Sequence, residues 1–281
     1  MTMQRLLEFV GTRDRDERCR MKSSIKTLLG VAIATAFALA AFGSHAAPAS
    51  EAGHGKTTVV LVHGAFADGS GWSQVIPLLQ ARGLNVVAVQ NPLTSLADDV
   101  AATRRVLDAQ EGPVVLVGHS WGGVVISEAG VHDRVKSLVY VAAFAPSEGQ
   151  SAADLTKSYP VPPGSKFVVA DQSGFLSLSP EGMATHFAQD LPAAQTSLMA
   201  VTQVPIRASS FEETAKAAAW RDRPTWYVVT QNDHMLDPGL QRAMASNISA
   251  HVVSLPSSHV PQLSKPEQVA EAIFSAAAQA R

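Results

Sequence analysis

The spacing of apolar runs in this chain points to an α/β fold: a mostly parallel sheet with helices on both faces and a small helical cap inserted after the fourth strand. From residue 56 onward, six apolar, β-branched runs alternate with stretches of helical periodicity. That alternation builds a parallel sheet covered on both sides. The first of them, TTVVLV, is an apolar β-branched run rather than apolar every second residue, as a buried parallel strand should be. The rhythm stops over residues 146–220, where prolines punctuate the chain, and then resumes. A structureless connection of that length is uncommon inside a compact domain, so a small helical cap is expected there. With 281 residues, 46% of them hydrophobic, the chain can bury one large core.

TTVVLV (57–62) is the first strand and runs into His63-Gly64. In WSQVIPLLQARG (72–83), Trp72, Val75, Ile76 and Leu79 share one helical face, and Gly83 stops the helix. LNVVAVQ (84–90) is the second strand. Ser95 with Asp98 reads as a capping box in which Asp takes the Glu/Gln role, and Arg104 and Asp108 on the same helix are spaced as a solvated i,i+4 pair. PVVLVG (113–118) is the third strand, Gly122–Val131 a helix and VKSLVYVAA (135–143) the fourth strand. In the cap, KFVVA (166–170) is the strong strand-like run, and short helical pieces are expected over Glu181–Gln189, Pro192–Val201 and Phe211–Ala219. TWYVVT (225–230), a helix over Pro238–Ser246 and HVVSL (251–255) complete the alternation. A last helix starts at Lys265, with Ser264 and Glu267 as a second capping box and Pro266 in its first turn. The expected organisation is a core of residues 56–145 and 221–281 and a cap of residues 146–220.

The first 46 residues fall outside that core. Lys22 and Lys26 give a positive segment after Met21, Leu28–Phe42 is apolar, and Ser44-His45-Ala46 puts small residues before a cleavage point at Ala47. This is the pattern of a signal peptide, Met21–Ala46, with an apolar stretch short for a membrane span. An uncleaved anchor is the competing reading. Residues 1–20 read as an upstream start or an added leader, because Met21 begins a complete signal by itself. Residues 47–55, with Pro48, Gly53 and Gly55, read as a flexible leader. Cleavage removes Cys19, the only cysteine. The mature chain is therefore expected to tolerate an oxidising compartment, periplasmic or secreted. The net charge of −2 gives no electrostatic case for a nucleic acid partner or an anionic membrane surface, and no stable membrane insertion is expected after cleavage. Zinc-type Cys/His spacings are absent from the sequence.

The chemistry gathers in LVGHSWGGVV (116–125), which holds Gly118-His119-Ser120-Trp121-Gly122. Gly-x-Ser-x-Gly between a buried strand and a helix is the setting of a nucleophile elbow. A serine hydroxyl needs a base, and the base needs a carboxylate to orient it. In this architecture they follow in the order serine, acid, histidine. Of His132, His186, His234, His251 and His259, only His259 lies just past the last strand, at the carboxyl edge where sites of open α/β sheets form. Asp233, in the loop after TWYVVT, is the candidate acid. Asp237 is the rival, although Asp237-Pro238 also reads as a helix start. A developing oxyanion needs preorganised N–H donors. One is expected from the backbone of Trp121 and another from Ala65 or Phe66, in the loop after the first strand. His63 and His119 read as loop-ordering residues. This chemistry requires no metal and no cofactor.

Together these residues resemble the α/β-hydrolase fold superfamily, and within it the plant methylesterase and hydroxynitrile-lyase-like esterases and their secreted bacterial relatives. The resemblance rests on LVHGAFADGSGW, LVGHSWGG, VYVAAFAP, YVVTQNDHMLDPGLQRAMA and SSHVPQLSKPEQVAEAI, within about residues 57–145 and 224–277. It implies Ser120, Asp233 and His259 as a catalytic triad and Ala65 and Trp121 as oxyanion donors. The lyases of that group carry a threonine after the first-strand histidine and a lysine after the catalytic one; here Gly64 and Val260 stand there. The expected function is thus a serine carboxylic-ester hydrolase acting through an acyl-enzyme on a small, largely apolar ester. The alternative is a ligand-binding, receptor-like protein of the same fold with little or no turnover. Phe175, Leu176, Leu178, Phe187, Leu198 and Met199 are the cap residues that could line an apolar site, or else form the cap's own core.

Overall fold

The computed structural model describes residues 56–280. The expected signal peptide Met21–Ala46, the leader 47–55 and Cys19 lie outside the described residues. The first half of the core runs β1 (Thr58–Val62), α1 (Val75–Ala81), β2 (Asn85–Val89), α2 (Leu96–Asp108), β3 (Val114–His119), α3 (Gly122–Ala129) and β4 (Val135–Val141). The inserted segment follows, with α4 (Ala152–Thr156), β5 (Val168–Ala170), β6 (Phe175–Leu178), α5 (Ala193–Thr202) and β7 (Ile206–Arg207). The core resumes with β8 (Thr225–Thr230), α6 (Pro238–Asn247), β9 (His251–Leu255) and α7 (Pro266–Gln279). Among the described residues no helix is long and apolar enough to cross a membrane.

The six core strands lie in the order β2-β1-β3-β4-β8-β9, and every pair is parallel. Successive side chains of a strand point to opposite faces. Val60 and Val62 accordingly join the core under α2 and α3, while Val59 and Leu61 join the one under α1 and α7. Both faces of the central strands must be apolar, which is why β1 is an unbroken apolar run from Val59, while the edge strands β2 and β9 are partly exposed. The chain leaves β1 for β2 on one side and returns to β3 on the other. That reversal opens a crevice at the carboxyl ends of β1 and β3, the place where such sheets hold ligands.

The inserted segment holds more strand than the small helical cap expected: β5 falls on the KFVVA run, and β6 and β7 are additional. β5, β6 and β7 form a three-stranded antiparallel sheet. Its first hairpin is turned by Asp171, whose carboxylate accepts the N–H groups of Ser173 and Phe175, with Gly174 at φ +81°. Over Glu181–Gln189 a single α turn passes into a π turn, Met183–Phe187. Phe211–Ala219 forms no α-helix, and only its two ends fall in short 3-10 turns, Ala208–Glu212 and Ala219–Arg221. Its amides are spent elsewhere: Ala215 N–H donates to the Gln150 carbonyl and Lys216 N–H to the Glu128 carboxylate.

The caps also need correction. Ser95 accepts from Asp98 N–H at 3.0 Å, but the Asp98 carboxylate takes the hydroxyls of Thr94 and Ser95 instead of returning to the cap's backbone N–H. Ser264 sits in the helical turn Pro261–Ser264, and α7 begins with no side-chain cap, so the expected Ser264–Glu267 box does not form. The complete box is Ser151–Asp154, at the start of α4. Asp108 pairs with His132 at 3.1 Å rather than with Arg104.

Candidate active site

Four loops meet at the carboxyl edge of the sheet. The turn from β3 to α3 holds Ser120 at φ +52°, a left-handed backbone that a non-glycine residue adopts only when its surroundings enforce it. Here they do. Ser120 N–H donates to the Val141 carbonyl, and the Ser120 carbonyl accepts from Gly123 and Phe144. The turn is so tight that a Cβ on Gly118 would sit 2.6 Å from the Gly122 carbonyl oxygen, and one on Gly122 2.6 Å from that of Val62. Glycine is therefore required on both sides of the serine.

Ser120 Oγ lies 2.8 Å from His259 Nε2, and His259 Nδ1 lies 2.7 Å from Asp233 Oδ2. A carboxylate only accepts, so Nδ1 carries the imidazole proton and Nε2 is left to accept from the serine hydroxyl. Asp233 is fixed in turn. Oδ1 accepts the N–H groups of Met235 and Leu236, and Oδ2 also accepts from Thr230 Oγ1 and Gln241 Nε2. Burial works to raise the Asp233 carboxyl. The charge and hydrogen bond of His259 and the N–H groups of Leu236 and Met235 outweigh burial, and the carboxyl stays below its ordinary value. Asp237 stands apart from this chain: it caps α6, accepting from Leu240 N–H at 2.9 Å.

The loop after β1 faces the elbow. A Cβ on Gly64 would meet Ser120 Cβ at 2.7 Å, so only glycine lets the two backbones approach this closely. Phe66, at φ +59°, turns the chain over the site. Among the described residues, the backbone N–H groups of Ala65, Phe66 and Trp121 have no protein acceptor. His63 orders its loop: Nδ1 meets the Gly64 carbonyl, and Nε2 accepts from Asn91 N–H at 2.9 Å. Burial drives His119 down to about 3, so its ring is neutral, and Nε2 donates to the His259 carbonyl at 2.8 Å. Both expected loop-ordering histidines thus bind backbone. Of the remaining histidines, His186 lies in the π turn of the cap, His234 follows Asp233, and His251 opens β9.

Ser120 and His259 open into a cavity walled by Phe66, Phe144, Leu176, Phe187, Phe211 and Leu236, among others. Of the six apolar cap residues singled out from the sequence, Leu176 and Phe187 reach this wall. Leu178 is buried in the core, Phe175 lies under the Arg207 guanidinium, and Leu198 is exposed. Gln241 and Thr230, which hold Asp233, went unread in the sequence. Gln241 stands between Leu240 and Met244 on the buried face of α6, and a polar residue at that spacing was the available signal.

A family model described as the alpha/beta hydrolase family matches residues 59–272. The chain is similar to a pyrethroid hydrolase of Sphingobium wenxiniae, at 31% identity over 250 residues, 77% of this chain and 86% of that relative. It is similar to methylesterase 2 of Arabidopsis thaliana, at 26% identity over 257 residues, 79% of this chain and 96% of that relative. A crystal structure of a pyrethroid hydrolase superposes with a TM-score of 0.71 at 26% identity, covering 79% of this chain and 98% of that one. Polyneuridine aldehyde esterase, at 18% identity and a TM-score of 0.67, covering 78% of this chain and 98% of that one, shares the fold.

Proposed function

The chain belongs to the alpha/beta hydrolase family, and we propose that within it the protein is a serine carboxylic-ester hydrolase. The reading is carried by one observation: an unbroken hydrogen-bonded chain, Ser120–His259–Asp233, on the floor of an apolar cavity. Esterase and hydrolase relatives support it.

His259 Nε2 takes the Ser120 proton as Oγ adds to the ester carbonyl carbon. Asp233 stabilises the imidazolium that forms. The N–H groups of Trp121 and of Ala65 or Phe66 receive the oxyanion. His259 then hands its proton to the departing alcohol oxygen, leaving an acyl-serine. Water repeats the sequence and releases the acid. Apart from Ser120 and His259, the polar side chains at the cavity wall are Thr156, Tyr159 and Ser165, all neutral. This supports a small, uncharged ester with apolar groups. We further propose export, with Met21–Ala46 removed; the charge and apolar pattern of that segment support it.

The test is hydrolysis of a chromogenic ester series, acetate through octanoate, by the wild type and by Ser120→Ala. Steady turnover lost in the variant upholds the reading. A single stoichiometric burst favours the receptor-like alternative, and a wild type no faster than the variant overturns the assignment. Export is checked by the N-terminal sequence of protein recovered outside the cytoplasm, expected to start at Ala47.

A further inference from the structure

Asp99, on α2, is 0% exposed, yet among the described residues no cation forms an ion pair with it. Its partners are neutral. Trp121 Nε1–H donates to Oδ2 at 2.7 Å, and Leu93 N–H donates to Oδ1 at 2.8 Å. An unpaired buried carboxylate is unfavourable, and folds keep such groups where they serve a function. Trp121 is the residue directly after the elbow serine. It sits at the start of α3 with no side-chain cap of its own. Its indole packs edge-on against Phe211, a cavity wall, with centroids 5.3 Å apart. Leu93 is held at φ +56°, and its carbonyl accepts from Arg207 N–H of the cap strand β7 at 2.9 Å.

We infer that Asp99 is a positioning residue: by gripping the Trp121 indole it fixes the Trp121 backbone N–H beside Ser120, and through Leu93 it ties that point to the cap. The inference rests on the esterase reading, which gives the Trp121 N–H its task. The ionised carboxylate suits two donors, one on each oxygen. Once protonated, it turns a hydroxyl toward one of them and must release it. Burial pushes Asp99 up to about 6 against the pull of the Trp121 and Leu93 hydrogen bonds, and Asp98 on its own helix and Glu213 from the cap add like charge. The gripped state therefore forms as pH rises through that value.

The test compares wild type, Asp99→Asn, Trp121→Phe and the double variant on one short chromogenic ester, with kcat and KM taken over about pH 5–8 and melting temperature alongside. Each single variant is expected to lose about ten-fold in kcat, with KM within about two-fold. The double variant is expected to lose no more than either single variant, because both remove one interaction. The acid limb of the wild-type kcat profile should hold an ionisation that both variants lack. If Asp99→Asn does not fold, Trp121→Phe alone carries the same kcat and pH readouts. Multiplying losses, an unchanged acid limb, or activity that merely tracks melting temperature overturns the inference. Wild-type turnover that Asp99→Asn leaves intact overturns it alone. A wild type whose turnover survives Ser120→Ala overturns the esterase reading, and the inference with it.

Discussion

Asp233 and Asp99 are both buried carboxylates, and their surroundings push them in opposite directions. Asp233 collects the His259 ring, two backbone N–H groups, Thr230 and Gln241, and is held low. Asp99 collects two neutral donors and is raised to about 6. The stability consequences differ in sign. The Asp233 contribution is present above the ordinary carboxylate value of about 3.9 and is lost as pH falls through its depressed folded value. The Asp99 contribution is full below about 3.9 and is lost as pH rises through about 6. Urea denaturation across that interval should therefore show a stability decline with rising pH that Asp99→Asn flattens; an identical pH profile in the variant would refute the sign. For Asp233→Asn, the imidazole tautomer is no longer dictated, and kcat should drop roughly 10³–10⁴-fold while the protein still folds, as steady-state kinetics and circular dichroism would record. Ser120, His259 and Asp233 were legible because each follows a recognisable strand in a fixed chain order. Gln241, Thr230 and Asp99 were not. A lone polar residue on an apolar helix face reads equally well as a satisfied core residue.

Among the elements, β1, β3 and β8 were legible because burial on both faces leaves an apolar run, and the half-exposed edge strands β2 and β9 were legible from their β-branched residues and their place in the alternation. β6 and β7, of four and two residues, are too short to leave such a run. Residues 211–219 carry the Ala, Glu and Lys of a good helix former. Tertiary partners claim their amides, and local propensity loses. The capping boxes show the same limit: of the Ser-x-x-acid patterns at Ser95, Ser151 and Ser264, only Ser151–Asp154 closes reciprocally. At Ser95 the Asp98 carboxylate turns to the Thr94 and Ser95 hydroxyls, and Ser264 lies inside the preceding helical turn. Ser151→Ala should therefore cost about 1 kcal/mol and lower the melting temperature by roughly 2–4 °C. Ser264→Ala, whose hydroxyl caps nothing, should leave it where it is. Differential scanning calorimetry on the two variants separates them, and equal shifts would mean that the caps are not what distinguishes these helices.

Across the whole molecule, the sequence placed Ser120, Asp233 and His259 at one sheet edge but said little of what lies above them, because the cap's contacts join residues far apart in the chain. The structure shows the cap gripping both loops that supply the imidazole and its carboxylate. Gly164 N–H donates to the His234 carbonyl at 2.9 Å, and Gln189 Nε2 to the Asn232 carbonyl at 2.7 Å, one on each side of Asp233. Asp190 Oδ2 accepts from Ser258 N–H at 2.9 Å, directly before His259. A cap attached in this way is more than a cover for substrate, since lifting it would free both loops. Asp190→Ala removes the anchor of the His259 loop and should lower kcat about ten-fold, while the melting temperature stays close to wild type because Asp190 is exposed. Asp190→Asn keeps an acceptor oxygen for Ser258 N–H and should restore most of that loss. Steady-state kinetics on the pair, read beside their thermal melts, decides the matter. If alanine and asparagine are equally active, the cap merely roofs the cavity; if only asparagine works, the cap holds the machinery beneath it in register.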